Sequence, residues 1–245
     1  MHRFFVPSDG FQGDIVYIRG SDAIHLRDVL RLKLGDIIHA LDGNGFCFQV
    51  RLTAVLKKGV EGKILSKVSL DVESPLEIRL GQAILKGNKF DGVIRKAVEM
   101  GTRSIVPMIT KRTIARVSSE VYPKKAQRWQ KISEEAGKQS GRSYIARVEK
   151  KPLDVEKFCE SVRDYDLKLC FWEDESCYRL KSIEPKHPPL RIATLIGPEG
   201  GFDHEEIEVA RMSGFLTISL GPRLLRAETV PIAALAILQN RWGDV

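Results

Sequence analysis

Two glycine-bearing segments in the C-terminal fifth combine residue types that can cradle and polarise a ligand. The first is Ile196-Gly197-Pro198-Glu199-Gly200-Gly201. The second is Leu220-Gly221-Pro222-Arg223-Leu224-Leu225-Arg226-Ala227-Glu228-Thr229-Val230. Each follows an apolar run and precedes a helical pattern. Glycine at such a turn lets backbone amides and carbonyls approach a ligand, because no Cβ intervenes. Two such loops after successive strands describe a crevice at the carboxyl edge of an α/β sheet. The second loop also carries two arginines and a glutamate, more charge than a turn requires. Plainer readings stand beside these. The glycines could serve turn geometry alone, Arg226 could be a salt-bridge arginine, and Glu199 could offset a helix dipole.

Several common chemistries lack their residues. No G-x-G-x-x-G follows the first strand of the α/β part, as a dinucleotide site needs. Gly87-Asn88-Lys89-Phe90 does not complete a P-loop, and there is no G-x-S-x-G elbow. Cys47, Cys159, Cys170 and Cys177 show no C-x-x-C spacing, and the five histidines form no H-x-x-x-H pair, so no metal site is readable. Isolated cysteines suggest a reducing compartment. No apolar run reaches the roughly 18 residues of a membrane span. Met1-His2-Arg3-Phe4-Phe5 leads into polar sequence rather than a signal peptide. The expectation is a cytoplasmic protein with no membrane contact.

The 245 residues are 43% hydrophobic and 29% charged, enough to bury a core without disulfides. Net charge is +7, unevenly spread. Ile109 to Lys151 holds twelve Lys/Arg against four Asp/Glu, a surplus of +8, whereas residues 1 to 74 hold ten against nine. Residues 196 to 245 hold four against seven. A concentrated basic region beside a small-molecule site attracts polyanions, of which nucleic acid is the commonest. A solvated helix face is the bland alternative.

The elements that must position these residues fall into two groups. Residues 1 to 73 read as mostly strand, with Asp14 to Ile18, Ile37 to Leu41 and a return strand Phe46 to Val55 after the Asp42-Gly43-Asn44-Gly45 turn. Ser21 to Leu34 has helical spacing. Together these suggest a small barrel. Ser74-Pro75 marks a boundary. Residues 74 to 245 then alternate. The strands are Leu76–Leu85, Ser104–Ile109, Leu167–Trp172, Arg191–Ile196 and Phe215–Leu220. Helical patterns start near Phe90, Pro123 and Val155. Another follows Asp203, whose pairing with Glu206 resembles a capping box, and a last one opens at Pro231. Ile232 to Leu238 is apolar all round, so that helix must be covered by the domain or by a partner. The alternation argues a parallel sheet with helices on both faces.

The two glycine segments in combination resemble the SPOUT (α/β-knot) ribosomal RNA methyltransferases that make N3-methyluridine in the small subunit. Glu135-Ala136-Gly137-Lys138-Gln139-Ser140-Gly141-Arg142 is similar to that family's central helix end, and the order of a barrel then an α/β domain extends the likeness to nearly the whole chain. Ala227, Val230 and Lys138 depart from the usual pattern. The resemblance implies a trefoil-knotted parallel sheet preceded by a PUA-like β-barrel that binds RNA. It implies S-adenosylmethionine as cofactor, a homodimer, 16S (small-subunit) ribosomal RNA as substrate, and no metal. Leu195, Ile196, Gly197, Glu199, Gly200, Gly201, Leu220, Gly221, Leu225 and Arg226 would contact the cofactor. Arg226 first and Arg142 second would stabilise the uridine N3 anion, with Glu228 as base or arginine orienter. Lys124, Lys125, Arg128, Lys131 and Lys138 would contact phosphates, with Gln139, Ser140 and Arg142 at the target pocket. A catalytically silent RNA-binding or ribosome-assembly factor on the same fold is the alternative, and a nucleotide-cofactor oxidoreductase is disfavoured by the missing fingerprint.

Overall fold

The structure, a computed structural model, describes residues 2–70, 72–114 and 120–245. It divides into two compact units. One is Met1–Glu73 together with Gly137–Ile145, the other Ser74–Ala136 with Ala146–Val245.

The first unit is a six-stranded, mainly antiparallel sheet. Its strands are β1 (Arg3–Phe5), β2 (Phe11–Gln12), β3 (Ile15–Ile18), β4 (Ile37–Leu41), β5 (Cys47–Leu56) and β6 (Gly59–Val68), in the order β1-β4-β5-β6-β3-β2. The β4–β5 hairpin forms around the Asp42 turn, where the Asp42 carboxylate accepts the Asn44 and Phe46 N–H groups. Val16, Ile18, Ile38, Ala40, Val50, Leu52 and Val60 alternate inward to one core with Leu26. The helix expected over Ser21 to Leu34 is shorter. It runs as α1 (Gly20–Ile24) and one π turn through Val29. Arg31 then takes φ +53°, and the Leu32 N–H returns to the Leu26 carbonyl, which closes the helix in the manner of a left-handed cap. The apolar spacing of Leu32 continues past a backbone reversal that spacing alone does not reveal.

The second unit holds an all-parallel sheet. Its elements are β7 (Glu77–Ala83), α2 (Lys89–Glu99), β8 (Ser104–Met108), α3 (Tyr122–Ser140), β9 (Arg147–Val148), α4 (Val155–Ser161), β10 (Leu167–Phe171), β11 (Arg191–Ile196), α5 (His204–Met212), β12 (Leu216–Ile218) and α6 (Val230–Trp242). Strand order is β12-β10-β11-β7-β8-β9. Because side chains alternate across a strand, each buried strand feeds two cores. Ile78, Leu80, Ile105, Leu169, Ile192 and Ile196 join Phe90 and Ile94 of α2, Trp129 of α3 and Leu235 and Leu238 of α6. Val106, Met108, Cys170, Ala193 and Leu195 join Phe158 and Cys159 of α4 and Ile207 and Ala210 of α5. Gly81 is required on that second face. A Cβ there would sit 2.7 Å from the Phe158 ring.

Local signals set the helix ends. Gly101, at φ +80°, follows the last turn of α2. The Asp203–Glu206 capping box opens α5, Pro231 sits in the first turn of α6, and Asp154 caps α4 by accepting from the Lys157 N–H. Caps of this kind contribute about 1 kcal/mol each. Strand order turns back between β7 and β11, which are far apart in sequence. Because β10, β11 and β12 run parallel, their carboxyl ends open on the same edge of the sheet.

Candidate active site

That edge holds a crevice of about 610 Å³, within the range of small-molecule sites. The Ile196–Gly201 loop after β11 forms one wall. The Ile218–Glu228 segment after β12 forms another, with Phe171, Trp172 and Glu173 after β10 and Lys89 at the start of α2. The first loop is a tight turn in which the Gly201 N–H donates to the Pro198 carbonyl at 3.0 Å and Gly201 takes φ +69°. A Cβ on Gly201 would run into the Glu173 carboxylate, so a side chain there disturbs the turn as well as any ligand. Gly221 differs. At φ +138° it lies in glycine's region and lines the crevice, yet a Cβ there would meet no other residue within 4 Å. Gln82, fully buried on β7, donates through Nε2 to the Gly197 carbonyl at 3.3 Å and supports the first loop from below.

The predicted cofactor residues Ile196, Gly197, Glu199, Gly200, Gly201, Leu220, Gly221, Leu225 and Arg226 all line this crevice. Leu195 does not. It is fully buried beside Ala193 and Phe158 on the opposite face from Ile196, as strand alternation demands. Lys89, Trp172, Glu173 and Arg223 line the crevice without having been expected there. Lys89 did leave a signal. It is a cation at the first position of a helix, where the macrodipole disfavours positive charge.

The charged residues sort by what they touch. Arg226 is exposed and lines the crevice, and its guanidinium has no hydrogen-bond or ion-pair partner among the described residues. The Glu228 carboxylate binds the Lys89 ammonium at 3.2 Å. A hydrogen bond from its own backbone N–H, then Lys89 and Arg226, hold Glu228 below the ordinary carboxylate range, which makes it a weak base. Glu199 accepts from the Lys86 N–H at 3.1 Å, with Lys89 4.0 Å away.

Arg142 lies in the first unit, buried, and grips Glu73 through Nε at 3.1 Å and a terminal nitrogen at 2.8 Å. Glu73 also accepts the Ser143 and Tyr144 N–H groups. Arg142 thus anchors its own segment. Lys138 is likewise held, by Asp22 at 2.8 Å, and Gln139 and Ser140 sit exposed at the end of α3. Arg128 pairs with Asp91, which also accepts from the Trp129 indole at 3.0 Å, so it ties α3 to α2. Lys124 and Lys131 are exposed and Lys125 is half-buried, and none of the three has an ion-pair partner among the described residues.

The crevice suits an adenosine-type group with a cationic tail. Ile196, Ile218, Leu220 and Leu225 give apolar walls, the glycine loops give close backbone, and Glu173, Glu199 and Glu228 give negative charge. Comparison with known proteins agrees with this reading. An RNA methyltransferase domain model matches residues 72–239, and an RNA methyltransferase PUA domain model matches residues 18–65. The chain belongs to the RNA methyltransferase family. Among its relatives is the ribosomal RNA small subunit methyltransferase E of Buchnera aphidicola, 30% identical over 99% of this chain and 94% of that one. The protein of the same name from Bacillus subtilis is 30% identical over 97% of this chain and 96% of its own. The solved structure of ribosomal RNA small subunit methyltransferase E from Neisseria gonorrhoeae, bound to S-adenosyl methionine, superposes with a TM-score of 0.88. It is 36% identical, and the match covers 100% of this chain and 99% of that one. The family's fold is the mixed α/β arrangement described above.

Proposed function

We propose that this protein transfers a methyl group from S-adenosylmethionine to N3 of a uridine in small-subunit ribosomal RNA. The observation that carries the proposal is the crevice between two glycine loops, with an arginine on its wall that has no hydrogen-bond or ion-pair partner among the described residues. S-adenosylmethionine, when bound, supplies an electrophilic methyl group that already carries its leaving group, so the transfer requires no metal. The glycine loops and their apolar neighbours hold the cofactor and fix the direction of attack, and positioning of this kind provides much of the acceleration. Uridine N3 must lose a proton before it attacks, leaving negative charge on N3 and the flanking carbonyl oxygens. Arg226 stabilises that charge as it develops. Glu228, held ionised and weakly basic, keeps the lysine–carboxylate framework in place while the N3 proton leaves to solvent.

Residues 1 to 73 serve as the RNA-binding PUA-like domain and residues 74 to 245 as the catalytic domain. Lys124, Lys125 and Lys131 meet phosphates. The protein works as a homodimer, a reading supported by α6, which leaves Ile232, Ala233, Ala236 and Ile237 half-exposed on one apolar face. The test is calorimetric titration with S-adenosylmethionine, followed by methyl incorporation into ribosomal RNA. Gly221→Val should abolish cofactor binding by filling the open side of the loop. Wild-type affinity in that variant would refute the site, and binding without methyl transfer would leave a catalytically silent RNA-binding factor.

A further inference from the structure

Lys89 is the one described residue that faces both glycine loops with an ion-pairing group. Its ammonium lies 3.2 Å from Glu228 on the second loop and 4.0 Å from Glu199 on the first. The same stretch grips the first loop again, because the Lys86 N–H donates to Glu199. Lys89 begins α2 after Asn88, whose side chain makes no cap hydrogen bond. A cation there is opposed by the helix dipole, and the two carboxylates offset that cost. A residue that breaks a local rule and is compensated by two partners across a crevice is placed for that crevice.

The occupancy of Glu228 has a further consequence. Glu228 is two residues from Arg226 in the same loop, and both line the crevice. With Glu228 held by Lys89, Arg226 keeps its guanidinium for a ligand.

We infer that Lys89 is a positioning residue of this site: it ties the two glycine loops together through Glu199 and Glu228, and it keeps Glu228 from closing on Arg226. This rests on the reading of the crevice as an S-adenosylmethionine site. In the apo protein the bridge is partly solvated and worth little. Its value rises when cofactor and RNA exclude water.

The experiment uses the full chain with two probes. One is S-adenosylmethionine. The other is 5′-methylthioadenosine, which keeps the adenosine and sulfur but lacks the amino-acid carboxylate. Wild-type protein that binds neither would overturn the underlying cofactor reading rather than the role of Lys89. Given wild-type binding, Lys89→Met should weaken both probes equally, by about fivefold to tenfold, and Lys89→Arg should restore most of it. Loss of S-adenosylmethionine affinity with methylthioadenosine unchanged would mean that Lys89 holds the cofactor carboxylate directly, and would overturn the inference. No change in either would overturn it as well. The second readout is single-turnover methylation at saturating cofactor and RNA. Lys89→Met should slow it, and adding Glu228→Gln to that variant should recover part of the rate, because the carboxylate two residues from Arg226 is then gone. Failure of the double variant to recover would overturn the second half of the inference. Thermal unfolding of each variant checks that the fold is kept.

Discussion

Two segments that carry a glycine and an arginine end in opposite states. Gly141-Arg142 stands near Glu73, and Arg142 is buried with that carboxylate closed upon it. Gly221 to Arg226 stands near Glu228, but there the carboxylate closes on Lys89 and Arg226 faces the crevice. On the proposed function, what separates the two arginines is where the neighbouring carboxylate goes: Glu73 closes on Arg142, whereas Glu228 is taken by Lys89 and leaves Arg226 for a ligand. The residue that decides between the two outcomes, Lys89, is far from Arg226 in the chain, and no local pattern links them.

Substitutions at the two arginines should therefore fail differently. Arg226→Ala should lower single-turnover methylation by about 10²–10³ with little change in RNA affinity, since uracil is neutral until N3 ionises and the interaction strengthens toward the transition state. Arg226→Lys should rescue in part, because a point charge replaces a planar fork. A rate within about threefold of wild type would assign Arg226 to architecture. Arg142→Ala should instead cost about 3 kcal/mol of stability by removing the buried guanidinium that balances the Glu73 charge, read by denaturant unfolding, while the rate per folded molecule changes little. A soluble, stable Arg142→Ala protein with a collapsed rate would reverse the comparison.

Smaller effects sharpen it. Charge reversal at Lys124, Lys125 and Lys131 should weaken RNA binding and flatten its salt dependence by roughly 0.7–0.9 log unit for each phosphate no longer neutralised. Reversal at Arg128 should also loosen α3 against Asp91 of α2, which shows as reduced stability. The smallest effect concerns pH. Glu228 titrates below its ordinary value of 4.5 in the folded protein. Its ion pair with Lys89 therefore contributes fully above that ordinary value and is lost only as pH falls through the lower folded value. Cofactor affinity measured by calorimetry should stay flat from about pH 8 to about pH 5, and a fall within that window would mean that another group governs the site.

Much of the second unit was legible because its segments are long and periodic. Arg191–Ile196 has the expected bounds, and α3 begins one residue earlier than expected. The Asp203–Glu206 pair forms its capping box. The two-residue β9 was invisible, since two residues carry no period. The end of the first helix was misjudged because Arg31 adopts a conformation usually left to glycine. The clustering of Gly137–Ile145 with the first unit depends on Glu73 and Asp22, partners far away in sequence. At the site, the glycine loops were legible from their composition. The Leu195 side chain turns away from the crevice because alternation decides which of two neighbours faces it, and the Lys89 contacts are not legible because they depend on two carboxylates distant in the chain.

The measurement that bears most directly on the account is nucleoside mapping of small-subunit ribosomal RNA after incubation with the protein and S-adenosylmethionine. The RNA would be digested and each methylated nucleoside identified by mass spectrometry. The expected result is N3-methyluridine at a single position, formed by wild type and nearly absent with Arg226→Ala. Methyl transfer to a ribose hydroxyl or to another base, or N3-methyluridine formed equally well by Arg226→Ala, would contradict it.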